Sequence, residues 1–587
     1  MTTPASLFDQ PEQLEQPSIL SQVSMETMVS LLLFLAGACA RFFWLDFSPL
    51  SSNEARQAIA SWNFVRGMPD AFTGSPLLFF TNTILFTLFG ATDFAARFIP
   101  ALAGSLLVLT PALFRKEIGR VGALFASAFF AFSPSLVFFS RNANGTVIAV
   151  TCAFAALAFA WRFLNDESPR DLNISVVLAA LALVSAREAW TIALAMFLAV
   201  LAIRARNEIA IPSTAWRFAA LLGAMVFFGV TTAFMLHREG VGATFDLFGA
   251  WLNGLRPGID LSDPLRLLAL YEPIILILGL AAMVRVALSL AQKNDVDPPQ
   301  IALTLWASIA LILYSVGADK SPARVVVIVV PLALLAAQCL GAWLERIASE
   351  TDRGTFLAQD LPVILLACAI VSFLFLIFAE YATRGNIAAA QVIAAALKQP
   401  ENSALVIFLL TMFAIAVMLF LTITTVGLTR APDVGLTIIL VLLTLWTIRQ
   451  SAMVNLGALN PRELLVARAP SLNVRDLEND LPDVSRWRAN DSHALSIAVD
   501  ESLSPIIAWI LRDFRNARFV ARPSPDDANA ILAPAITAAP ANGWISQTFR
   551  LEETRSETNL NLLRWLIFRD VGSVESTSVK LWIPAPR

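Results

Sequence analysis

Apolar runs alternate with short polar intervals from about residue 26 to residue 450. At 1.5 Å per residue, a helix needs ~20 residues to cross ~30 Å of hydrocarbon. Runs of that character fall near 26–43, 75–90, 94–114, 121–139, 146–164, 172–185, 188–203, 216–236, 265–291, 301–317, 322–345, 361–380, 403–428 and 433–450. Several are short, above all 75–90 and the pair on either side of Arg187. Short or broken segments are tolerated at membrane depth only where protein or a water-filled cavity satisfies their backbone. The pattern predicts a mainly α, polytopic transmembrane bundle of about 12–14 helices. Counting every segment as a full crossing puts Glu54 and Arg141 on opposite faces. Either one segment between them does not span, or its boundaries are misplaced.

Three stretches depart from this pattern. Residues 1–24 are polar, acidic and proline-bearing, without the basic start and small-residue cleavage site of a secretory signal, so the first apolar run is expected to be retained as a helix. A polar loop at 44–74 separates the first two runs and is far longer than a turn requires, and long loops in compact bundles tend to be functional. The third stretch, 456–587, carries frequent prolines and charges and no run able to span. Strand-like pieces at 494–500, 517–522, 530–535 and 579–585 alternate there with helix-like pieces at 504–514 and 559–570. The expected organisation is a polar tail, a bundle over 25–455, and a small α/β extramembrane domain that covers or positions something at the membrane face.

Composition agrees with a membrane protein: 57% of the 587 residues are hydrophobic and 15% charged, with a mean hydropathy of +0.68. A net charge of -3 supplies no basic field, so nucleic acid is not expected as a partner. The four cysteines, Cys39, Cys152, Cys339 and Cys368, lie far apart in apolar runs, spaced neither as a metal knuckle nor as a redox pair. Basic residues cluster after several runs, at Arg115, Lys116 and Arg120, Arg162 and Arg170, Arg204 and Arg206, Arg285 and Lys293, and Arg346 and Arg353. The positive-inside rule assigns most of these loops to the cytoplasm.

Few residues are placed to do chemistry. In SSNEARQAIASWNF, Ser51, Ser52 or Asn53 can cap a helix whose first turn holds Glu54, with Arg56 two residues on. The plain alternative is an interfacial amphipathic helix with Ile59, Trp62 and Phe64 in the bilayer. Arg141 ends an apolar run, where arginine often only snorkels. Arg187 and Glu188 stand together amid apolar sequence, where ionisable groups usually face a polar cavity or one another. His237 with Glu239, and Asp319 with Lys320, mark two more polar breaks. A lone histidine among only two in the chain is a weak sign of a metal, so a divalent metal stays an open candidate as cofactor. Together these groups supply arginines and a lysine to neutralise a phosphate, and a carboxylate to act as base.

The order of the polar loop, SPLLF, LFGATDFAARFIPALAG, LFRKEIGRVGAL and SPSLVFFSR resembles the N-terminal half of the GT-C superfamily of integral-membrane glycosyltransferases. That group includes the dolichyl-phosphate-mannose protein mannosyltransferases and the lipid A aminoarabinose transferases. The later Tyr271-Glu272-Pro273 and the DKSP before Arg324 are similar to its prokaryotic flippase-activity-associated branch. The resemblance implies a polyprenyl-phosphate sugar as donor and an acceptor on the extracytoplasmic side. It also implies an Asp-Glu-x-Arg motif in the first external loop, which stands here as Asn53-Glu54-Ala55-Arg56, so the aspartate has become an amide that takes no proton. A second acidic position is matched by the NANGT of 142–146, again without an acid, and a Lys-Glu pair by Arg187-Glu188.

Two functions are therefore weighed. In the first, a plasma-membrane, multi-pass glycosyltransferase-like protein uses Glu54 beside Asn53 at the reacting centre and Arg56, Arg141, Arg187 and Lys320 at the donor phosphate. Glu188, His237 and Asp319 support them, and the C-terminal domain caps the extracytoplasmic face. In the second, the chain binds a lipid-linked sugar or assists polymer export without catalysis. A secondary transporter fits less well, because the two halves show no repeat in hydropathy. Oligomeric state leaves no mark in the sequence.

Overall fold

The computed structural model describes residues 24–68, 74–206, 213–258, 263–350, 353–384, 403–457, 459–503, 505–526, 528–555 and 562–585. The polar N-terminal tail, apart from Ser24, lies outside the described residues. The chain forms a helical bundle topped by one six-stranded sheet. Among the described residues nine helices are long and apolar enough to cross a membrane, and a tenth span is made by a pair bent by 55°. Three shorter apolar helices account for the rest of the 12–14 expected from the sequence. The bundle is built around the helix Val325–Glu350, whose apolar stretch is 83% buried together with the turn before it.

The first helix, α1 (Met25–Phe42), starts at Ser24, whose hydroxyl accepts the Thr27 N–H. It packs on the bent pair, Arg120–Phe132 and Pro134–Ser140. Pro134 has no N–H to give the Phe130 carbonyl one turn back, which breaks the helix there. Arg41 of α1 supplies the missing donor: its Nη2 reaches Phe130 O at 2.8 Å, and its Nε reaches Ser140 Oγ at 3.2 Å. On the other side of the bend, Glu272 Oε1 takes the hydroxyls of Ser133 and Ser135 at 2.5 and 2.6 Å. The Tyr-Glu-Pro motif is thus a latch. Its tyrosine, Tyr271, donates to Glu463 Oε2 at 2.6 Å, and Glu463 pairs with Arg569 at 2.7 Å, tying the segment after the last span to the bundle.

Two helices follow α1 without crossing the membrane: α2 (Ser52–Val65) and α3 (Pro76–Phe89). At 14 residues, α3 is about 21 Å long, too short to span. Its N-terminal end is held to α2, where Gln57 exchanges hydrogen bonds with the backbone of Ser75 at 3.1 and 3.3 Å. At its other end the Phe86 ring packs, tilted, against Trp509 of the C-terminal region. Both ends therefore meet the same extramembrane layer, and without a crossing at α3 Glu54 and Arg141 fall on the same face. After α1 the crossings resume at α4 (Asp93–Leu107), which continues through a 3-10 turn to Ile118. Its first residue, Asp93, takes Arg475 at 2.6 Å and the Trp509 indole N–H at 2.7 Å.

The sheet runs β1-β5-β6-β4-β2-β3, with β1 Ala469–Pro470, β2 Ile497–Asp500, β3 Ala517–Val520, β4 Ala530–Pro534, β5 Trp544–Arg555 and β6 Val574–Pro584. β2 lies parallel to both β3 and β4, and the remaining pairs are antiparallel. The four strand-like and two helix-like pieces read from the sequence all fall on elements of this region, whereas β5 and the helix Asn473–Ala489 were not anticipated. One apolar core joins the layers: Ala55 and Ala58 of α2 and Ala96 of α4 pack with Ile506, Ile507, Trp509 and Leu532. Helices that start at this layer end in the basic clusters. The helix Thr146–Asp166 ends near Arg162 and Arg170, Ala189–Arg206 ends in Arg204, and Val325–Glu350 carries Arg346 in its last turn and a half.

Candidate active site

A cavity of about 450 Å³ opens where α2, the turns at 142–146 and 185–188, residues 321–323, the 459–468 segment and β5 meet. Its wall carries Asn53, Glu54, Arg56, Arg187 and Glu188, five of the nine residues singled out from sequence. Asn53 and Arg56 are exposed to it, three apart on one face of α2.

Glu54 has a different task from the proton acceptor that the sequence suggested. Its Oε1 takes Arg97 Nε at 2.8 Å and the Ala143 N–H at 2.8 Å. Its Oε2 takes Arg97 Nη2 and the Ser51 N–H and hydroxyl, each at 2.9 Å. Burial alone would raise its pKa, but the charge and hydrogen bonds of Arg97, with the N–H groups of Ser51 and Ala143, hold the carboxyl below its ordinary value. A carboxylate so fully occupied binds the start of α2 to α4 and to the 142–146 turn, and has no lone pair ready for an incoming proton. Arg97 also gathers the carbonyls of Leu45, Ser48 and Pro49, so it shapes the loop before α2. The sequence shows it only as one arginine in an apolar run.

Other expected cations are likewise committed elsewhere. Arg141 lies outside the cavity wall and caps the C-terminal end of α1, giving Nη1 to Ala40 O and Phe43 O at 2.9 and 2.8 Å and Nη2 to Trp44 O at 3.1 Å. Burial, and then repulsion from Arg97, lower its pKa to about 10. Lys320 caps the helix Pro298–Val316 through Ser315 O at 2.9 Å and is not on the wall. His237 packs at a steep angle against Phe64 and edge-on to Phe79, with ring centres 5.5 and 5.1 Å apart. Asp319 bridges Arg187 at 2.5 Å and Arg324 at 2.6 Å, and so supports Arg187 from behind. Arg187 also meets Glu188 at 3.1 Å, whose second oxygen takes the Thr146 hydroxyl at 3.3 Å.

Two groups that the sequence did not reveal complete the wall. Arg468 is exposed to the cavity just before β1, and Glu552 is buried at the β5 edge, its Oε1 accepting the Ser52 N–H at 2.9 Å. β1 pairs with β5 through Pro470 and Glu552, which brings both groups to one rim. Arg56 and Arg468 make no hydrogen bond or ion pair among the described residues. Unpaired guanidinium groups facing a pocket suit an anion with several oxygens. Among the described residues no three His, Cys, Asp or Glu side chains gather as metal ligands.

A family model described as dolichyl-phosphate-mannose-protein mannosyltransferase matches residues 73–232. The structure is similar to that of ArnT from Cupriavidus metallidurans in the apo state, with a TM-score of 0.51 at 14% identity, covering 94% of this chain and 97% of that one. It is similar also to the same protein bound to undecaprenyl phosphate, with a TM-score of 0.52 at 15% identity and the same coverage of both chains. Among curated proteins, none matches the chain in sequence. The fold is ArnT-like, as the expected membrane bundle with a small C-terminal domain requires, and the likeness runs through the bundle and the sheet together.

Proposed function

We propose that this GT-C-type membrane protein transfers a sugar from a polyprenyl-phosphate donor to an acceptor on the extracytoplasmic side, with Arg56, Arg187 and Arg468 around the donor phosphate. The observation that carries the reading is the set of three arginines from three separate elements lining one cavity. When the sugar leaves, a phosphodiester becomes a monoester and gains charge. Donors fixed beforehand around that oxygen stabilise the transition state more than the ground state. Arg187 is held by Asp319 and Glu188, whereas Arg56 and Arg468 have their hydrogen-bonding capacity open for phosphate oxygens. Undecaprenyl phosphate bound to the similar ArnT supports a lipid phosphate of this class as ligand.

Charge supports one side of the membrane. The basic clusters stand at the helix ends remote from the cavity, and positive loops favour the cytoplasm, which supports an extracytoplasmic cavity and C-terminal domain. The donor's prenyl chain would remain in the bilayer while its phosphate enters the cavity.

Binding of undecaprenyl phosphate to the purified full-length protein tests the reading. Because Arg56 and Arg468 hold nothing else in place among the described residues, Arg56→Ala and Arg468→Ala are expected to keep the thermal midpoint and each weaken binding about tenfold, the loss of a charge-assisted hydrogen bond of ~1.5 kcal/mol. Wild-type affinity in both variants would remove the phosphate site.

A further inference from the structure

Three carboxylates line the cavity: Glu54, Glu188 and Glu552. A group that accepts a proton needs an oxygen with no donor already committed to it. Glu54 fails, since both oxygens are taken by Arg97 and by backbone N–H groups. Glu188 fails in part, with Arg187 on one oxygen and the Thr146 hydroxyl on the other. Glu552 alone among them has no cation within ion-pair distance among the described residues, and its only side-chain bond is the Ser52 N–H on Oε1. Oε2 is uncommitted.

The backbone shows how the residue comes to point there. Along β5, Phe549 and Leu551 are buried and Arg550 is exposed, so an unbroken strand would expose the next residue. The register against β6 shifts between Arg550, opposite Ser578, and Glu552, opposite Thr577. The extra residue forms a bulge, and Glu552 is only 5% exposed, turned toward the start of α2. Bulges re-aim side chains in this way beside functional sites. A buried carboxylate without a cation is costly unless it has work to do.

We propose that Glu552, supplied from the C-terminal domain, accepts the proton of the incoming nucleophile in the transfer described above; the inference rests on that reading. The acceptor O–H gives its proton to Oε2 of Glu552 as the oxygen lone pair forms the new bond to C1 of the sugar. The bond from C1 to the donor phosphate oxygen breaks, and its electron pair leaves on the polyprenyl phosphate. Glu552 then releases the proton to solvent. The Ser52 N–H on Oε1 fixes the carboxylate at the cavity wall. Neighbouring Asn53, whose amide accepts no proton, is left to orient the acceptor by hydrogen bonding.

Release of free hexose from undecaprenyl-phosphate mannose and undecaprenyl-phosphate glucose, with water as acceptor, tests this on the full-length protein. Glutamine keeps the oxygen that accepts the Ser52 N–H, so Glu552→Gln removes the basicity and preserves the cap. The rate is expected to fall about 100-fold or more, with loss of the acid limb of the pH profile. Binding of undecaprenyl phosphate should stay within about twofold of wild type, and Glu552→Asp should restore part of the rate together with the acid limb. A Glu552→Gln rate close to wild type overturns the role of Glu552 and leaves the transfer reading standing. Where Gln lowers the thermal midpoint, the Asp variant decides: a pH profile without an acid limb overturns the proposal. A wild type that releases hexose from neither donor overturns the transfer reading itself, and this inference with it.

Discussion

Arg97 grips Glu54 through two parallel hydrogen bonds, Nε to Oε1 at 2.8 Å and Nη2 to Oε2 at 2.9 Å, with side chains only 2% and 5% exposed. The pair joins α2 to α4 and, through Ala143, to the 142–146 turn, so one ion pair ties two walls of the cavity to the helix behind them. Removing one partner of a buried pair leaves the other charge stranded, at a cost of about 3–5 kcal/mol.

Glu54→Gln is therefore expected to lower the thermal midpoint markedly at neutral pH. Because the folded carboxyl titrates below its ordinary value, its contribution is present above the unfolded pKa and is lost as pH falls through the folded one. The wild type should lose stability on acidification below the usual carboxylate range, and Glu54→Gln should show a shallower loss there. The double variant with Arg97→Gln should cost less than the sum of the two single changes. Thermal unfolding against pH reads all three, and an unperturbed Glu54→Gln protein would mean that the pair does not hold the site.

The docking of the C-terminal layer on Asp93 leads to a second expectation. Arg475 and Trp509 each spend a donor on that one carboxylate, and the layer they anchor carries both Arg468 and Glu552. Asp93→Ala should loosen the layer without touching the cavity wall. Limited proteolysis between the last span and β1 should then quicken, and undecaprenyl phosphate should bind about tenfold more weakly, the loss of one arginine contact. Unchanged affinity alongside faster proteolysis would show that the layer does not contribute to the lipid site.

Hydropathy and motif order made the bundle legible, because an apolar run long enough to span has few other uses. The short helix α3 reads from sequence as a doubtful crossing: its composition is apolar, and only its ties to Gln57 and Trp509 show that it lies along the face. At the site, residues close to one another in sequence were found together, as with Asn53, Glu54 and Arg56. Long-range partners were not. Whether Glu54 is free or clamped depends on Arg97, 43 residues away, and that contact exists only once α4 has packed. Arg468 and Glu552 reach the cavity through strand pairing and a bulge in a region without any motif, and neither feature is written in local pattern. Arg141 and Lys320 illustrate the converse, since an arginine or lysine at a helix end serves carbonyl oxygens as readily as a phosphate.

Gly145 sits where the two turns that carry the site touch. A Cβ built on it would lie 1.9 Å from Ser185 O and 2.8 Å from Ser185 C, both backbone atoms that a rotamer change does not move. Its φ of -72° is one that alanine adopts freely, so space rather than conformation demands glycine here. Gly145→Ala must push the 142–146 turn away from 185–188, which displaces Arg187 and Glu188 from the wall and strains the Ala143 bond to Glu54. Overpacking of this kind costs about 1–3 kcal/mol. The expected result is a lower thermal midpoint together with weaker binding of undecaprenyl phosphate. Gly435→Ala is the control: it lies inside the helix Ala431–Asn455 with nothing within 4 Å of the added Cβ, and alanine is the better helix former by about 0.5–1 kcal/mol. It should leave binding intact and hold or raise the midpoint. A Gly145→Ala protein that behaves like this control would mean that the two turns are not in contact, and the cavity as described would lose one of its walls.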